Sequence, residues 1–349
     1  MTLPASIQQI GRNAFRKNAG TVFILPATIS EMALRNGDGI KVTEGTEATP
    51  ATQPEELAMH TAPKAPAKVP STATKQATST APEPKTEPLA DIDRNIPTTT
   101  RQNSNTFCVI IANEHYDDAP DVEYAIRDGE MMREYAEKTL GLPARNIKLY
   151  ADATGGVIRR ALGWLESIQE FNSDARFLLY YAGHGMPDEQ DKTAYIIPKD
   201  GWTKDLTHTC ISLKEVYEKL GRMKARSVVV LLDACFSGMQ RGKDMAVLPA
   251  RSIAIKARRE ALSGHVVVLS AAAGDQTAMA YKEGRHGLFT YFLLSKLKQT
   301  KGNVTLGELF DYVEHKVKQE SFFINDKMQT PTHSAAPAMQ ASWKDIKLY

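Results

Sequence analysis

Cysteine is scarce in this chain: Cys108, Cys210 and Cys235 are the only three in 349 residues. An odd, unpatterned set excludes a disulfide framework, and without a CxxC pair it offers no structural metal site. No run approaches the ~20 apolar residues needed to cross a bilayer, so no membrane partner is expected. Charge of one sign is lacking too. A formal net charge of +2 gives no general attraction to nucleic acid or to an anionic surface. There is no GxxxxGK[ST] phosphate loop either. Residues 19–29 (AGTVFILPATI) follow Arg12, Arg16 and Lys17 much as a secretion signal would. They come late, contain Pro26 and lack a small-residue cleavage site. They read as a short strand, and the cytoplasm is the expected location.

Aromatic residues are absent between residues 45 and 104, where half of the 18 prolines lie among Ala, Thr, Lys and Glu. Such a segment buries too little apolar surface to offset its ordering entropy, so it is expected to be a disordered linker. The 44 residues before it are too few for a confident core of their own. What remains is ordinary globular material, 42% hydrophobic and 24% charged overall, which suffices for a sizeable core. A main domain is expected over residues 105–335, followed by a tail over 336–349.

Within that domain two kinds of segment alternate. Strands are expected at 106–112, 147–150, 176–182, 227–233 and 265–270. The runs FLLYYA and VVVLLD are nearly all apolar, as in parallel strands covered on both faces. Between the strands, apolar residues recur at helical spacing over 121–140, 157–171 and 213–220, and later over 288–297 and 306–317. Alternating βαβ units predict a three-layer α/β sandwich around a mostly parallel sheet of about six strands.

Polar motifs interrupt two strands at their carboxyl ends: Tyr181-Ala182-Gly183-His184-Gly185 and Asp233-Ala234-Cys235-Phe236-Ser237-Gly238. In open α/β sheets the reactive crevice lies beyond those ends, so both motifs point to one place. Flanking glycines suit turns where backbone approaches a substrate. A thiolate at Cys235 would be the nucleophile, and His184 would lower the thiol pKa and protonate the leaving amine. The amides of Gly185 and Cys235 are the candidates for an oxyanion site. Cys108, inside FCVIIA, reads as a small buried hydrophobe.

The His184–Cys235 separation is close to the ~50 residues seen in caspases. YYAGHG followed by LLDACFSG resembles the paired signatures of the caspase, metacaspase and orthocaspase superfamily of cysteine peptidases, with bacterial metacaspase-like proteins nearest in motif. EYAIRDGEMM, SAAAGDQTAMA and HGLFTYFLLSKL resemble that family's first helix, the strand after its cysteine and its C-terminal helix. The resemblance covers roughly residues 105–335. It implies a caspase-like fold, a Cys235–His184 dyad, and protein or peptide substrates.

It also implies a specificity. Asp128 and Asp233 match the acidic positions that line a pocket for Arg or Lys in metacaspases, and a carboxylate pair suits a guanidinium. Ser270, at the end of the next strand, is a further substrate-binding candidate. Ala182 departs from the usual serine two residues before the histidine, which weakens a strict Arg/Lys preference. The 239–264 connection carries Lys243, Arg251, Lys256, Arg258 and Arg259. In this superfamily that connection is often where the enzyme cuts itself.

No cofactor is expected. Calcium activates several metacaspases, and hard cations need several oxygen ligands. Beyond Asp200 and Asp205, however, stands Thr207-His208-Thr209 rather than further acids, so no metal is assigned. His208, His265, His286 and His333 have no ligand-like spacing and read as structural. Two other readings compete with the peptidase. One is a catalytically silent scaffold that binds partners, against which the intact Cys235 and His184 argue. The other is a clostripain- or gingipain-like peptidase, of the same chemistry but usually larger and secreted.

Overall fold

A computed structural model describes residues 90–237, 256–325 and 327–349. The expectations for residues 1–44, most of the linker, Gly238, Lys243 and Arg251 fall outside these. The described chain runs β1 (Thr106–Ala112), α1 (Ala125–Lys138), β2 (Ile147–Ala151), α2 (Gly155–Gln169) and β3 (Arg176–Ala182). Next come β4 (Gly185–Pro187), β5 (Ala194–Ile196), α3 (Leu206–Thr209), β6 (Ile211–Ser212), α4 (Leu213–Gly221) and β7 (Ser227–Asp233). The last elements are β8 (Val266–Ser270), β9 (Ala280–Tyr281), β10 (His286–Gly287), α5 (Leu288–Thr300), α6 (Leu306–Asn325) and β11 (Thr332–Ala335).

The main sheet has six strands in the order β11-β8-β7-β3-β1-β2. All neighbours are parallel except β11, which runs antiparallel to β8. Alternate side chains face opposite ways, and this divides the core. Cys108, Ile110, Leu178, Tyr180, Val229 and Leu231 pack on one face with residues of α1, α5 and α6. Val109, Ile111, Phe177, Leu179, Val228 and Val230 pack on the other with α2 and α4. The expected three-layer α/β/α sandwich with a mostly parallel sheet is therefore observed.

One end departs from expectation. Residues 90–104 are not disordered linker but a strap laid on the domain. Ile92 is fully buried in the core, and its carbonyl accepts a 2.8 Å bond from the Tyr135 hydroxyl. Further along, the Pro97 carbonyl accepts from Thr139 Oγ1 at 2.7 Å, and Asn103 Nδ2 donates to the Leu348 carbonyl at 3.0 Å. The polar composition hid two well-placed isoleucines, Ile92 in the core and Ile96 packed against it. The expected tail, residues 336–349, packs against the domain, with Met339, Trp343 and Leu348 buried in the same core.

Candidate active site

The two motifs leave adjacent strands at matched height. Ala182, the last residue of β3, pairs with Asp233, the last of β7. His184 and Cys235 each stand two residues further on, so the parallel register carries them to one end of the sheet. The loops touch there. The Gly183 amide donates to the Asp233 carbonyl at 3.4 Å. A Cβ on Gly185 would lie 2.5 Å from the Phe236 ring and 2.8 Å from the Cys235 carbonyl oxygen. Glycine is thus required by the close approach of the two backbones.

His184 is 1% exposed and is held on four sides. Its amide donates to the Tyr116 hydroxyl at 2.8 Å, and its carbonyl accepts from the Tyr181 hydroxyl at 2.6 Å. The imidazole lies tilted on the Tyr116 ring, centroids 4.9 Å apart. Nε2 is 2.7 Å from the Pro120 carbonyl oxygen. A carbonyl can only accept, so Nε2 carries hydrogen, and in the neutral ring Nδ1 is the basic nitrogen. Tyr116 and Pro120 carried no signal in the sequence, because their roles depend on loops that meet only in the fold.

Cys235 is 2% exposed, between Ala234 and Phe236, which are also buried. The other thiols are placed for packing. Burial alone pushes Cys108 far above its ordinary pKa. Cys210 is pushed up to about 11, by burial first and the charges of Asp200 and Asp205 besides. Ser270 ends β8 beside Leu232 of β7. It lines a cavity of about 160 Å³ with Phe236, Ala272 and Gly274.

Asp128 and Asp233 have no exposure at all. They meet the amino end of α5 from two sides. Asp233 Oδ2 accepts from the Thr290 amide at 3.2 Å and its hydroxyl at 2.6 Å. Asp128 accepts from the Gly287 amide at 3.1 and 3.0 Å. Carboxylates there are favoured by the orphan N–H groups and dipole of the helix. Asp128 also accepts from His286 Nδ1 at 2.7 Å, while His286 Nε2 reaches Asp93 of the strap at 2.9 Å. Arg127 pairs with the same Asp93. Burial works against a charged His286, but the two carboxylates outweigh it and hold its pKa above the ordinary value. Burial likewise opposes the charge on Asp93, and hydrogen bonds from His286 and Arg127 hold its pKa below the ordinary value. His286 has no ligand-like spacing and Asp93 lies in the polar segment before the domain, so their link across 193 residues is visible only in the fold.

Of the basic residues in the 239–264 connection, Lys256, Arg258 and Arg259 are described, and all three are exposed. The Ala257 amide donates to the Gly274 carbonyl at 3.4 Å, and the Arg258 amide to that of Lys192 at 2.9 Å. Asp200 and Asp205 are engaged elsewhere. Asp200 accepts from the Gly155 amide at 2.8 Å, at the start of α2, and Asp205 caps α3 and holds His208.

A mostly parallel α/β sandwich with a thiol and an imidazole on neighbouring strand ends has the layout of a cysteine peptidase. The comparisons with known proteins make the class specific. The family model for the caspase domain of the C14 peptidases matches residues 105–340, and the chain belongs to that family of cysteine peptidases. No curated protein matches the chain. Among solved structures it is similar to a Geobacter sulfurreducens protein at 17% identity and a TM-score of 0.51, over 70% of this chain and 97% of that one. A second similar structure is caspase-1 of Spodoptera frugiperda, at 14% identity and a TM-score of 0.48, over 73% of this chain and 94% of that one.

Proposed function

We propose that this protein is a cysteine endopeptidase that attacks peptide bonds with Cys235 and uses His184 as base and then acid. The observation that carries this reading is the anchored imidazole. Nε2 is committed to the Pro120 carbonyl, so Nδ1 is left to take the thiol proton. Sγ then adds to the scissile carbonyl, the oxyanion is met by the amides of Gly185 and Cys235, and the C–N bond breaks. The imidazolium passes its proton to the leaving amine. Water, deprotonated by the same ring, hydrolyses the thioester.

We further propose cleavage after Arg or Lys, with self-processing in the 239–264 connection at Lys243, Arg251, Lys256, Arg258 or Arg259. The support for a basic P1 residue is electrostatic. Asp233 ends β7 two residues before Cys235, Asp128 meets the same end of α5 that Asp233 holds, and in a low-dielectric site carboxylates favour a cation and repel an aspartate. The test is a panel of fluorogenic peptides on wild type and Cys235→Ala, together with a thiol-directed activity probe. Cys235-dependent cleavage after Arg or Lys is expected. Cleavage after Asp and not after Arg or Lys would overturn the specificity, and a protein whose Cys235 resists the probe would be a silent scaffold instead.

A further inference from the structure

Among the described residues, a buried cluster of charges around His286 reaches beyond the two carboxylates used above. His286 is an imidazole with no exposure, sandwiched between Asp128, also without exposure, and Asp93, whose side chain is 3% exposed. Both ring nitrogens face carboxylate oxygens, which accept and cannot donate when ionised. The ring therefore carries both hydrogens and a positive charge. Arg127, on the strap side, adds a second cation against Asp93. Two phenols stand close, Tyr291, its ring centroid 6.5 Å from that of His286, and Tyr135, bonded to the strap at Ile92, and Asp91 of the strap is paired with Lys298 at 3.0 Å. Asp233 stands close to this cluster, held by Thr290 of α5.

This cluster is tied to the nucleophile by a short structural path. His286 and Gly287 open α5, Thr290 of the same helix holds Asp233, and Asp233 lies two residues before Cys235. Two of its members are far apart in sequence. Asp93 lies 193 residues before His286, and outside the 105–340 stretch that matches the family model.

We infer that Asp93 and His286 are specificity-determining residues: the strap completes a buried charge cluster whose balance sets how strongly the candidate P1 pocket prefers a cation. The inference rests on the basic-P1 reading above. It gives residues 90–104 a function, as part of the peptidase unit rather than a tether to it. Neither residue touches substrate in this scheme; both act through the field and through Asp128.

The sign of each substitution follows. Asp93→Asn removes a negative charge, while Asp128 still faces the other ring nitrogen of His286. His286→Gln removes a positive charge, with a donor retained. A substrate pair that differs only in charge reads this out: a fluorogenic peptide with P1 arginine, and its P1 citrulline counterpart. In the full-length chain, the ratio of kcat/KM for arginine over citrulline should fall about tenfold in Asp93→Asn and rise by a similar factor in His286→Gln, as one unit charge in a partly shielded site predicts. The change should sit in KM for the arginine peptide, with citrulline cleavage within about twofold. Arg127→Gln, at the partly exposed rim of the cluster, should raise the ratio too and serves where His286→Gln does not fold.

Nitrogen-15 NMR of the His286 ring adds a measurement that needs no turnover. Both nitrogens should be protonated in wild type at about pH 6.5, where a free imidazole is half neutral. A neutral ring in wild type at that pH overturns the inference. So does an arginine-preferring wild type whose ratio moves the same way in all variants, or in none, since a merely structural role would lower both substrates together. A wild type that cleaves neither peptide, or both equally, fails differently: it removes the peptidase or basic-P1 reading itself.

Discussion

Tyr116 shows how much of the candidate dyad depends on a residue that does no chemistry. Its hydroxyl accepts from the His184 amide and donates to the Asn113 carbonyl at 3.1 Å, while its ring supports the imidazole. Tyr116→Phe keeps the ring and orphans a backbone amide and a carbonyl, at a cost of about 1–3 kcal/mol. The proposed peptidase should then lose about tenfold in kcat with KM little changed, since the ring that moves the proton is displaced while the substrate cleft is not. Steady-state kinetics on a P1-arginine peptide would show it, and an unchanged kcat would mean that Pro120 and Tyr181 orient His184 without the Tyr116 hydroxyl. Gly185→Ala is more severe. Its methyl would meet the Phe236 ring and the Cys235 carbonyl well inside contact distance, so the two loops must separate and activity should be lost altogether.

At the scale of elements, α5 is the piece on which the site is assembled. Helix amino ends carry unpaired N–H groups, and here Asp128 and Asp233 satisfy those of Gly287 and Thr290. The Thr290 hydroxyl bonds both Asp233 and the Tyr180 hydroxyl, at 2.6 and 2.7 Å. Thr290→Val, nearly the same shape, removes those two bonds and should destabilise the domain by about 1–3 kcal/mol. Thr290→Ser should restore most of that loss. Urea unfolding compares the three; equal stability of Val and Thr would mean the buried hydroxyl contributes nothing.

What the sequence made legible follows the same division. β1, β3 and β7 begin and end where their apolar runs do, because strands covered on both faces leave an unbroken signal. The five longer helices were read from their 3.6-residue period to within a few residues at most ends. β4, β5, β6, β9 and β10 escaped because strands of two or three residues hold too few side chains for a period to show. β11, THSA, is half-exposed and polar. That Cys235 and His184 come to one end of the sheet was legible because parallel strand ends converge by topology. The partners of His184, and the link from Asp93 to His286, come from tertiary closure alone and leave no local pattern.

For the whole molecule, the strap and the buried cluster set how stability depends on pH. His286 binds its proton more tightly folded than unfolded, since its pKa is raised above 6.5. Its contribution is therefore complete below about 6.5 and is lost as pH rises through the raised folded value. Asp93 is the reverse case, its pKa lowered below 3.8. Its contribution is present above that and is lost as pH falls through the lowered folded value. Stability should form a plateau between these limbs, and the strap should control both. Asp93→Asn deletes its own part of the acid limb. It also takes one of two carboxylates from His286, so the alkaline decline begins at lower pH than in wild type. Thermal unfolding of the full chain from about pH 3 to about pH 10 would resolve the two curves. A wild-type Tm that climbs between about pH 7 and pH 9, or an alkaline limb unmoved by Asp93→Asn, would mean that His286 is neutral in the fold. The strap would then be held by Ile92 and its backbone bonds, with no electrostatic grip on the domain.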